Sequence, residues 1–207
     1  HKFSRQGNGY VSLNGDMICR NGEEVLDVKD ILIPGVHNVE NYMAAIAAVG
    51  RAAFAFAPHF KPTSAIIIIT AMVFGPEAGF LTGAIAALAS NLFFGQGPWT
   101  PWQMFAYGMA GFVSGVLQSR GWMPKKPLWQ GVVGFVLIVA LVGPLLDCNT
   151  LFTTAVTLNW KNVAIILTNG LVFANWQHGL AVAVTMVLIS EPLQYMLQRV
   201  KTKYGML

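Results

Sequence analysis

Amide and indole side chains concentrate in one short stretch, FFGQGPWTPWQMF, at residues 93–105. Trp99 and Trp102 offer flat rings for stacking, and Gln96 and Gln103 offer hydrogen-bonding amides. Glycines in the same stretch permit tight turns of the backbone, and prolines make the backbone rigid. A rigid loop with stacking rings and convergent amides predicts a binding site for a ligand that is flat in its body and polar at its edges.

The alternative interpretation of this stretch is an aromatic belt at the headgroup level of a membrane, which would account for the tryptophans alone. A belt does not account for the amides of Asn91, Gln96 and Gln103, which need hydrogen-bond partners if they lie at membrane depth. We therefore favour a binding site and include Phe94, which lies between Asn91 and Gln96, among its residues.

Three more polar residues are candidates for ligand contact. Asp147 follows a Gly143–Pro144 break and either caps a helix end or meets ligand. His178 follows Asn175 near the start of the last apolar segment; it is either a hydrogen-bonded packing residue or a ligand contact. We include all three in the predicted site.

The turn PHFKP contributes two final candidates, His59 and Lys61, which form either a lid edge or a solvated loop. Catalysis is not predicted, because the chain shows neither a nucleophile paired with a base nor an HExxH or paired-carboxylate motif. Cys19 and Cys148 have no metal-ligand spacing, so no metal site and no catalytic cofactor are predicted.

The elements that must position these residues are apolar. Of the 207 residues, 55% are hydrophobic and 11% are charged, against about 25% charged in soluble proteins. We predict six membrane segments, although several are shorter than the ~20 residues that span a bilayer. They are 42–57, 63–74, 78–94, 102–119, 128–147 and 176–197. A weaker apolar run at 162–173 is interpreted as a re-entrant or extracellular piece.

The first 41 residues differ from the rest in composition. They hold six of the nine acids, alternate apolar and polar residues over 8–34, and contain Asn-Gly pairs at 8–9, 14–15 and 21–22 that are typical of hairpin turns. We predict an all-α membrane protein, a six-helix bundle at 42–207, with a short β-hairpin-like amino-terminal extension at 1–41.

Lysine and arginine positions predict the orientation. Arg120, Lys125 and Lys126 lie between the fourth and fifth segments, and Arg199, Lys201 and Lys203 follow the sixth. The positive-inside rule places both clusters, and with six spans both termini, in the cytoplasm of a multi-pass cell-membrane protein. The bases form no stripe, so nucleic-acid binding is not predicted.

Small side chains recur every four residues along the first segment. One strip is Ala44, Ala48 and Ala52, and the adjacent strip begins with Ala45 and Val49. Such strips allow close helix approach in lipid, either to a partner or to a neighbouring helix of the same chain.

Two family resemblances appear along the chain. LDVKDILIPGVHNVENYMAAIAA resembles the end of the central domain of Mur ligases, closest to UDP-N-acetylmuramoylalanine–D-glutamate ligase, over residues 3–48. The chain has no GxxxxGK[ST] phosphate loop, so ligase activity is not predicted. We interpret the extension as a fusion without activity of its own.

The stretches VGRAAFAFAPHFKPTSAIIII, FGPEAGFLTGAIAALASNLFFGQGPWTPWQMFAYGMAGFVSGVL and EPLQYMLQRVKTKYGML resemble the S component of an energy-coupling factor (ECF) vitamin transporter, over residues 45–207. The resemblance implies a six-helix subunit that captures a vitamin on its outer face and topples on a transmembrane coupling subunit driven by two ATPases, which use the ATP. It also implies that the strip of Ala44, Ala48 and Ala52 meets the coupling subunit.

The resemblance implies cobalamin or a corrinoid precursor as the first substrate, since NLFFGQGPWTPWQMFA is typical of a branch that accompanies cobalamin-related functions. The alternatives are pyridoxine, a thiamin precursor or a queuosine precursor. A further alternative, of another class, is a membrane assembly protein in which the Mur-like segment is an interaction module.

Overall fold

The computed structural model describes residues 3–4, 11–14, 17–20, 23–27, 41, 43–50, 62–153 and 159–203. The chain divides into two compact units, His1–Pro34 and Gly35–Leu207, and each is described by itself. The predicted sites at His59, Lys61 and Ala52 lie outside the described residues.

Four short strands form one sheet in the first unit. They are β1 (Phe3–Ser4), β2 (Val11–Asn14), β3 (Met17–Arg20) and β4 (Glu23–Asp27), in the order β1-β2-β3-β4. β1 runs parallel to β2, and the other neighbouring pairs are antiparallel. The register pairs Arg20 with Glu23, so one predicted Asn-Gly pair, residues 21–22, falls between β3 and β4.

The described part of the second unit consists of helices joined by short non-helical segments. Residues 43–50 form α1, followed by α2 (Thr63–Phe74), α3 (Pro76–Phe94), α4 (Trp99–Ser119), α5 (Pro127–Leu137), α6 (Gly143–Thr153), α7 (Trp160–Asn169) and α8 (Trp176–Lys203). Two π-helical segments interrupt this series: π1 (Ile138–Val142) joins α5 to α6, and π2 (Gly170–Asn175) joins α7 to α8.

Three of the described helical stretches are long and apolar enough to cross a membrane: Pro76–Phe94, Pro127–Thr153 and Trp176–Thr202. α2 is apolar but has 12 residues, fewer than the ~20 that a straight crossing needs. The predicted number of six spans therefore stays a prediction. The run at 162–173 belongs to α7 and π2, so it continues into α8 as helix.

α2 lies at the centre of the second unit and contacts α3, α4 and α8. Its isoleucines Ile67, Ile68 and Ile69 are fully buried. Consecutive β-branched residues favour strands in soluble proteins, but here helices cover α2 on all sides, and burial overrides the propensity. The α2–α3 turn is sharp, because Gly75 adopts a positive φ of 98° and Pro76 starts α3.

Glycines bring α3 and α4 into backbone contact. A Cβ added to Gly79 would collide with the backbone of Gly111, and one added to Gly83 would collide with the backbone at Tyr107. These glycines are therefore contacts between helices of the bundle. This close crossing holds α3 against α4, the two helices joined by the loop that carries the predicted ligand residues.

Candidate functional site

The α3–α4 loop is held by its own polar side chains. Asn91, 1% exposed, donates from Nδ2 to Oγ1 of Thr100 at 3.0 Å and to Oε1 of Gln103 at 2.9 Å. The Thr100 hydroxyl accepts from the amide of Gly97 at 3.3 Å and donates to Oε1 of Gln96 at 2.9 Å. Thr100 is therefore the centre of a network that joins the end of α3 to the start of α4.

This network changes the interpretation of the loop amides. Gln96 is exposed and also donates from Nε2 to the carbonyl of Leu88 at 3.3 Å, which ties it back onto α3. The amides that seemed to need a ligand find partners inside the chain. Their contribution here is to shape the loop, and contact of Asn91, Gln96 and Gln103 with a ligand stays a prediction.

Trp99 also takes part in the structure of the loop. Its six-membered ring lies over Gly97, where any side chain would collide with it, yet 41% of Trp99 remains exposed. Gly95 has a φ of 100°, a conformation that glycine adopts without strain. Phe94 is 48% exposed at the end of α3. The loop therefore presents two partly exposed aromatic side chains on a constrained backbone.

Trp102 links the loop to α6. Its ring stacks on Phe152 with 5.5 Å between centroids and 15° between planes. Phe152 is 63% exposed, so the pair lies at the surface of this end of the bundle. A flat ligand could stack on an outer face of this pair.

Asp147 of α6 contacts Asn175, the last residue of π2. Asn175, 8% exposed, donates from Nδ2 to Oδ2 of Asp147 at 2.9 Å. The Asn175 amide occupies the space over Gly143, and the Asp147 carboxylate occupies the space over Gly170, so a side chain at either glycine would collide. π-Helical turns recur at functional sites because they re-aim side chains within a helix.

Asp147 also lies close to the ring pair in sequence and along its helix. Phe152 lies five positions after Asp147 in α6, which at 1.5 Å per residue is a rise of about 7.5 Å. The acid–amide pair and the ring pair therefore occupy the same half of the bundle.

His178 lies deeper, between three helices. Its Nε2 is 3.2 Å from Oγ of Ser64 on α2, and its ring meets that of Tyr107 edge-on with centroids 6.4 Å apart. Ser64 is fully buried and Tyr107 is 7% exposed. These contacts favour the packing interpretation of His178, although the residue itself is only partly buried.

Two described cavities lie away from these residues. One, of about 450 Å³, is lined by Tyr195, Gln198, Arg199 and Thr202 near the end of α8. The other, of about 350 Å³, lies on the outer side of α3 and α4. Neither cavity includes the loop, the ring pair or the acid–amide pair.

Comparison with known proteins places the chain in a family. Residues 42–195 match the family described as "ECF-type riboflavin transporter, S component". The chain belongs to this family of S components. Such subunits are membrane transport proteins, and the several apolar helices agree with a multi-pass membrane location.

A relative of this S component is a UPF0397 protein from Vibrio atlanticus (strain LGP32), 36% identical over 84 residues. The matched stretch covers 39% of the chain and 44% of the relative, so the alignment spans less than half of either protein. No solved structure matches the chain. The Mur ligase resemblance of residues 3–48 and the cobalamin branch stay predictions.

The S component family implies partnership with coupling and ATPase subunits, and α1 is the predicted docking helix. The structure places Ala44 and Ala48 inside the bundle, 1% and 4% exposed. They face inward because α1 packs on α2, where Thr63 donates to the carbonyl of Ala47 at 2.9 Å. The strip of Ala44 and Ala48 therefore packs inside the bundle. The adjacent face of α1 is exposed.

Sequence reasoning missed four residues that the structure brings to the S component's candidate site: Ser64, Thr100, Tyr107 and Phe152. Thr100 could have been found, because it lies within the polar loop three residues after Gly97. Phe152 has no such signal, since nothing in its neighbourhood distinguishes it from other apolar residues of α6. Ser64 and Tyr107 lie within long apolar runs whose partners depend on the packing of three helices.

Proposed function

We propose that this S component captures a vitamin at the end of the bundle that carries the α3–α4 loop. The observation that supports this most strongly is the nearly parallel ring pair of Trp102, which is partly buried, and Phe152, which is 63% exposed. Asp147, which accepts from Asn175, lies five positions before Phe152 in the same helix. Rings that stack and a carboxylate that accepts hydrogen bonds are what a flat ligand with polar edges requires.

Cobalamin or a corrinoid precursor is the first candidate ligand. A corrinoid has a broad, nearly flat ring bordered by amides. Its faces suit Trp102 and Phe152, and its edge amides can donate to Asp147. The exposed rings of Trp99 and Phe94 extend the apolar surface on the α3 side of the loop. We place His59 and Lys61, which precede α2, at the edge of the proposed site, and His178 deeper in the bundle beneath it.

Riboflavin is the second candidate, because the matched family is described by that vitamin. Its three fused rings are flat and would stack on an outer face of the same pair, while its ring N–H would donate to Asp147 and its ring carbonyls would accept from the Asn175 amide. Pyridoxine, a thiamin precursor and a queuosine precursor are smaller ligands that would use one ring of the pair. The contrasting proposal is an assembly protein that binds no vitamin.

Delivery would depend on partners. The chain docks on a transmembrane coupling subunit, and two ATPase subunits supply the ATP hydrolysis. The open face of α1, with Ala45, Ile46 and Val49, is the docking surface proposed for the coupling subunit, since Ile46 is 50% and Val49 64% exposed. The loop would then face outward and both termini would face the cytoplasm.

The first experiment is a ligand screen by thermal shift with the purified full chain. Cobalamin, cobinamide, riboflavin, pyridoxine, thiamin precursors and queuine are added singly, because a ligand that binds only the native state raises the melting temperature. A rise with one ligand class identifies the cargo. No rise with any of them would contradict the capture function and favour the assembly protein.

Orientation has its own test. A single cysteine is placed at Gln96, which is exposed, in a variant whose Cys19 and Cys148 are replaced by serine. Reaction with a membrane-impermeant maleimide on intact cells supports the outward-facing loop. Reaction only after the cells are opened would contradict import by this route.

A further inference from the structure

Two buried side-chain oxygens in the described part of the chain have no hydrogen-bond partner: Oγ1 of Thr82 and Oδ1 of Asn149. Such atoms are rare in folded proteins, because a buried oxygen loses its hydrogen bonds to water and gains nothing in return. Each one therefore lowers stability unless a donor reaches it. Asn149 belongs to α6, the helix that carries Asp147 and Phe152.

The two oxygens differ in what their own helices can offer them. Buried threonine hydroxyls elsewhere in the bundle donate to the carbonyl four residues earlier, as Thr70 and Thr185 do at 2.8 and 2.7 Å. Rotation of the Thr82 side chain would give its hydroxyl the same kind of bond. An amide oxygen only accepts, and the N–H groups inside a helix are already bonded to its carbonyls. Asn149 Oδ1 therefore depends on a donor from outside α6.

Asn149 lies on the side of α6 that carries the ring pair. Leu145 is four residues earlier and Phe152 three residues later, a spacing that places all three side chains on one side of the helix. Leu145 packs against the hydrophobic core, and Phe152 stacks on Trp102 with 5.5 Å between centroids. Side chains three residues apart have Cβ atoms about 5–6 Å from each other. The unpartnered amide oxygen is therefore a neighbour of the stacked rings.

We infer that Asn149 is a ligand-binding residue that selects a vitamin with a hydrogen-bond donor at the edge of its ring system. This inference rests on the proposed function, since the ligand is the one that stacks on Trp102 and Phe152. An N–H or O–H of the ligand donates to Oδ1 and supplies the bond that α6 cannot. A ligand edge that carries only acceptors is disfavoured, because two buried acceptors would then face each other without a proton between them.

Two measurements on the purified full chain separate a ligand contact from a structural role. Asn149→Leu keeps the approximate size of the side chain and removes the oxygen. Without ligand, this variant should melt about 2–4 °C above the wild-type chain, because a buried unpartnered acceptor has been removed. Its affinity for the ligand should nevertheless fall by about tenfold, because the donor of the ligand is left unpaired. An asparagine with only a structural role would not give this opposite pair of effects.

The probes are the compounds of the ligand screen: cobalamin, cobinamide, riboflavin, pyridoxine, thiamin precursors and queuine. Thr82→Val is the matched control, since it removes the other unpartnered oxygen with little change of shape. Thr82 lies twelve positions before Phe94, a helix rise of about 18 Å from the α3–α4 loop, so its replacement should leave affinity unchanged. Asn149→Ala is a second variant, which adds no bulk and should weaken binding as Asn149→Leu does.

The outcomes distinguish this inference from the proposed function. Wild-type affinity in both Asn149 variants would overturn the inference and leave vitamin capture standing. A lower melting temperature of ligand-free Asn149→Leu, or an equal loss of affinity in Thr82→Val, would also overturn it, because Asn149 would then act on the fold rather than on the ligand. If the wild-type chain binds none of the probes, vitamin capture itself is contradicted and the inference fails with it.

Discussion

Asn175 donates a hydrogen bond to Asp147 at 2.9 Å. The Asn175 side chain lies over Gly143, in the helical stretch that contains Asp147, and the Asp147 side chain lies over Gly170, in the stretch that contains Asn175. The pair thus joins the α5–α6 stretch to the α7–α8 stretch where both pass through a π-helical turn. Two side chains fix the relative position of two long helices at the end proposed to bind the vitamin.

Asn175→Ala should lower the free energy of unfolding by about 1–3 kcal/mol, because it leaves a partly buried carboxylate without its hydrogen bond. Asp147→Asn should cost less, since its amide oxygen can still accept from Asn175. Thermal unfolding in detergent measures both variants. Leu171→Ala, at an exposed position of π2, is the control, and equal melting temperatures for Asn175→Ala and this control would contradict the role of the pair.

The loop network makes a separate prediction about stability. Asn91→Ala removes two hydrogen bonds at a position that is 1% exposed, so the unfolding free energy should fall by about 1–3 kcal/mol. Gln118→Ala, at an exposed position of α4, should change little. If the two variants unfold at the same temperature, the network does not hold the loop.

The sequence predicts some helix boundaries but not the packing of side chains. The segment predicted at 63–74 agrees with α2 at both ends, because Pro62 and Gly75 are strong local boundary signals. The segment predicted at 128–147 instead continues to Thr153. A π-helical turn changes the residue count per turn without any change in hydrophobicity, so the pattern could not reveal it.

The small-residue strips of α1 show that the sequence also does not predict which face of this helix is buried. Ala44 and Ala45 begin adjacent strips of similar composition, and only the packing of α1 on α2 determines which one is buried. The loop amides are a related case, since their types predicted a need for partners but not where the partners lie. The meeting of Trp102 with Phe152 depends on tertiary packing that spacing in the sequence does not encode.

The α3–α4 crossing should not tolerate a larger residue at its glycines. Gly111→Leu places a side chain where the Gly79 backbone lies, so we expect a loss of about 1–3 kcal/mol or more, or a failure to fold. Leu88→Ala, at a partly exposed position of α3, is the control. Wild-type stability in Gly111→Leu, measured by thermal unfolding, would show that the helices do not cross at this point.

Docking should depend on the open face of α1. Val49→Trp introduces bulk where the helix is 64% exposed and should reduce copurification of the coupling subunit by about tenfold, a loss near 1.4 kcal/mol or more of binding. Leu188→Trp, at a position of α8 that is 67% exposed, is matched in chemistry and should keep the partner. Equal recovery of the partner with both variants would remove α1 from the interface.

Equilibrium binding of the vitamin found in the ligand screen tests the central claim most directly. We predict saturable binding to the wild-type chain, a loss of about tenfold in affinity in Trp102→Ala and in Phe152→Ala, and wild-type affinity in Trp122→Ala, which removes an exposed tryptophan that follows α4. Undiminished affinity in both ring-pair variants, with all proteins folded, would contradict a vitamin site at this end of the bundle.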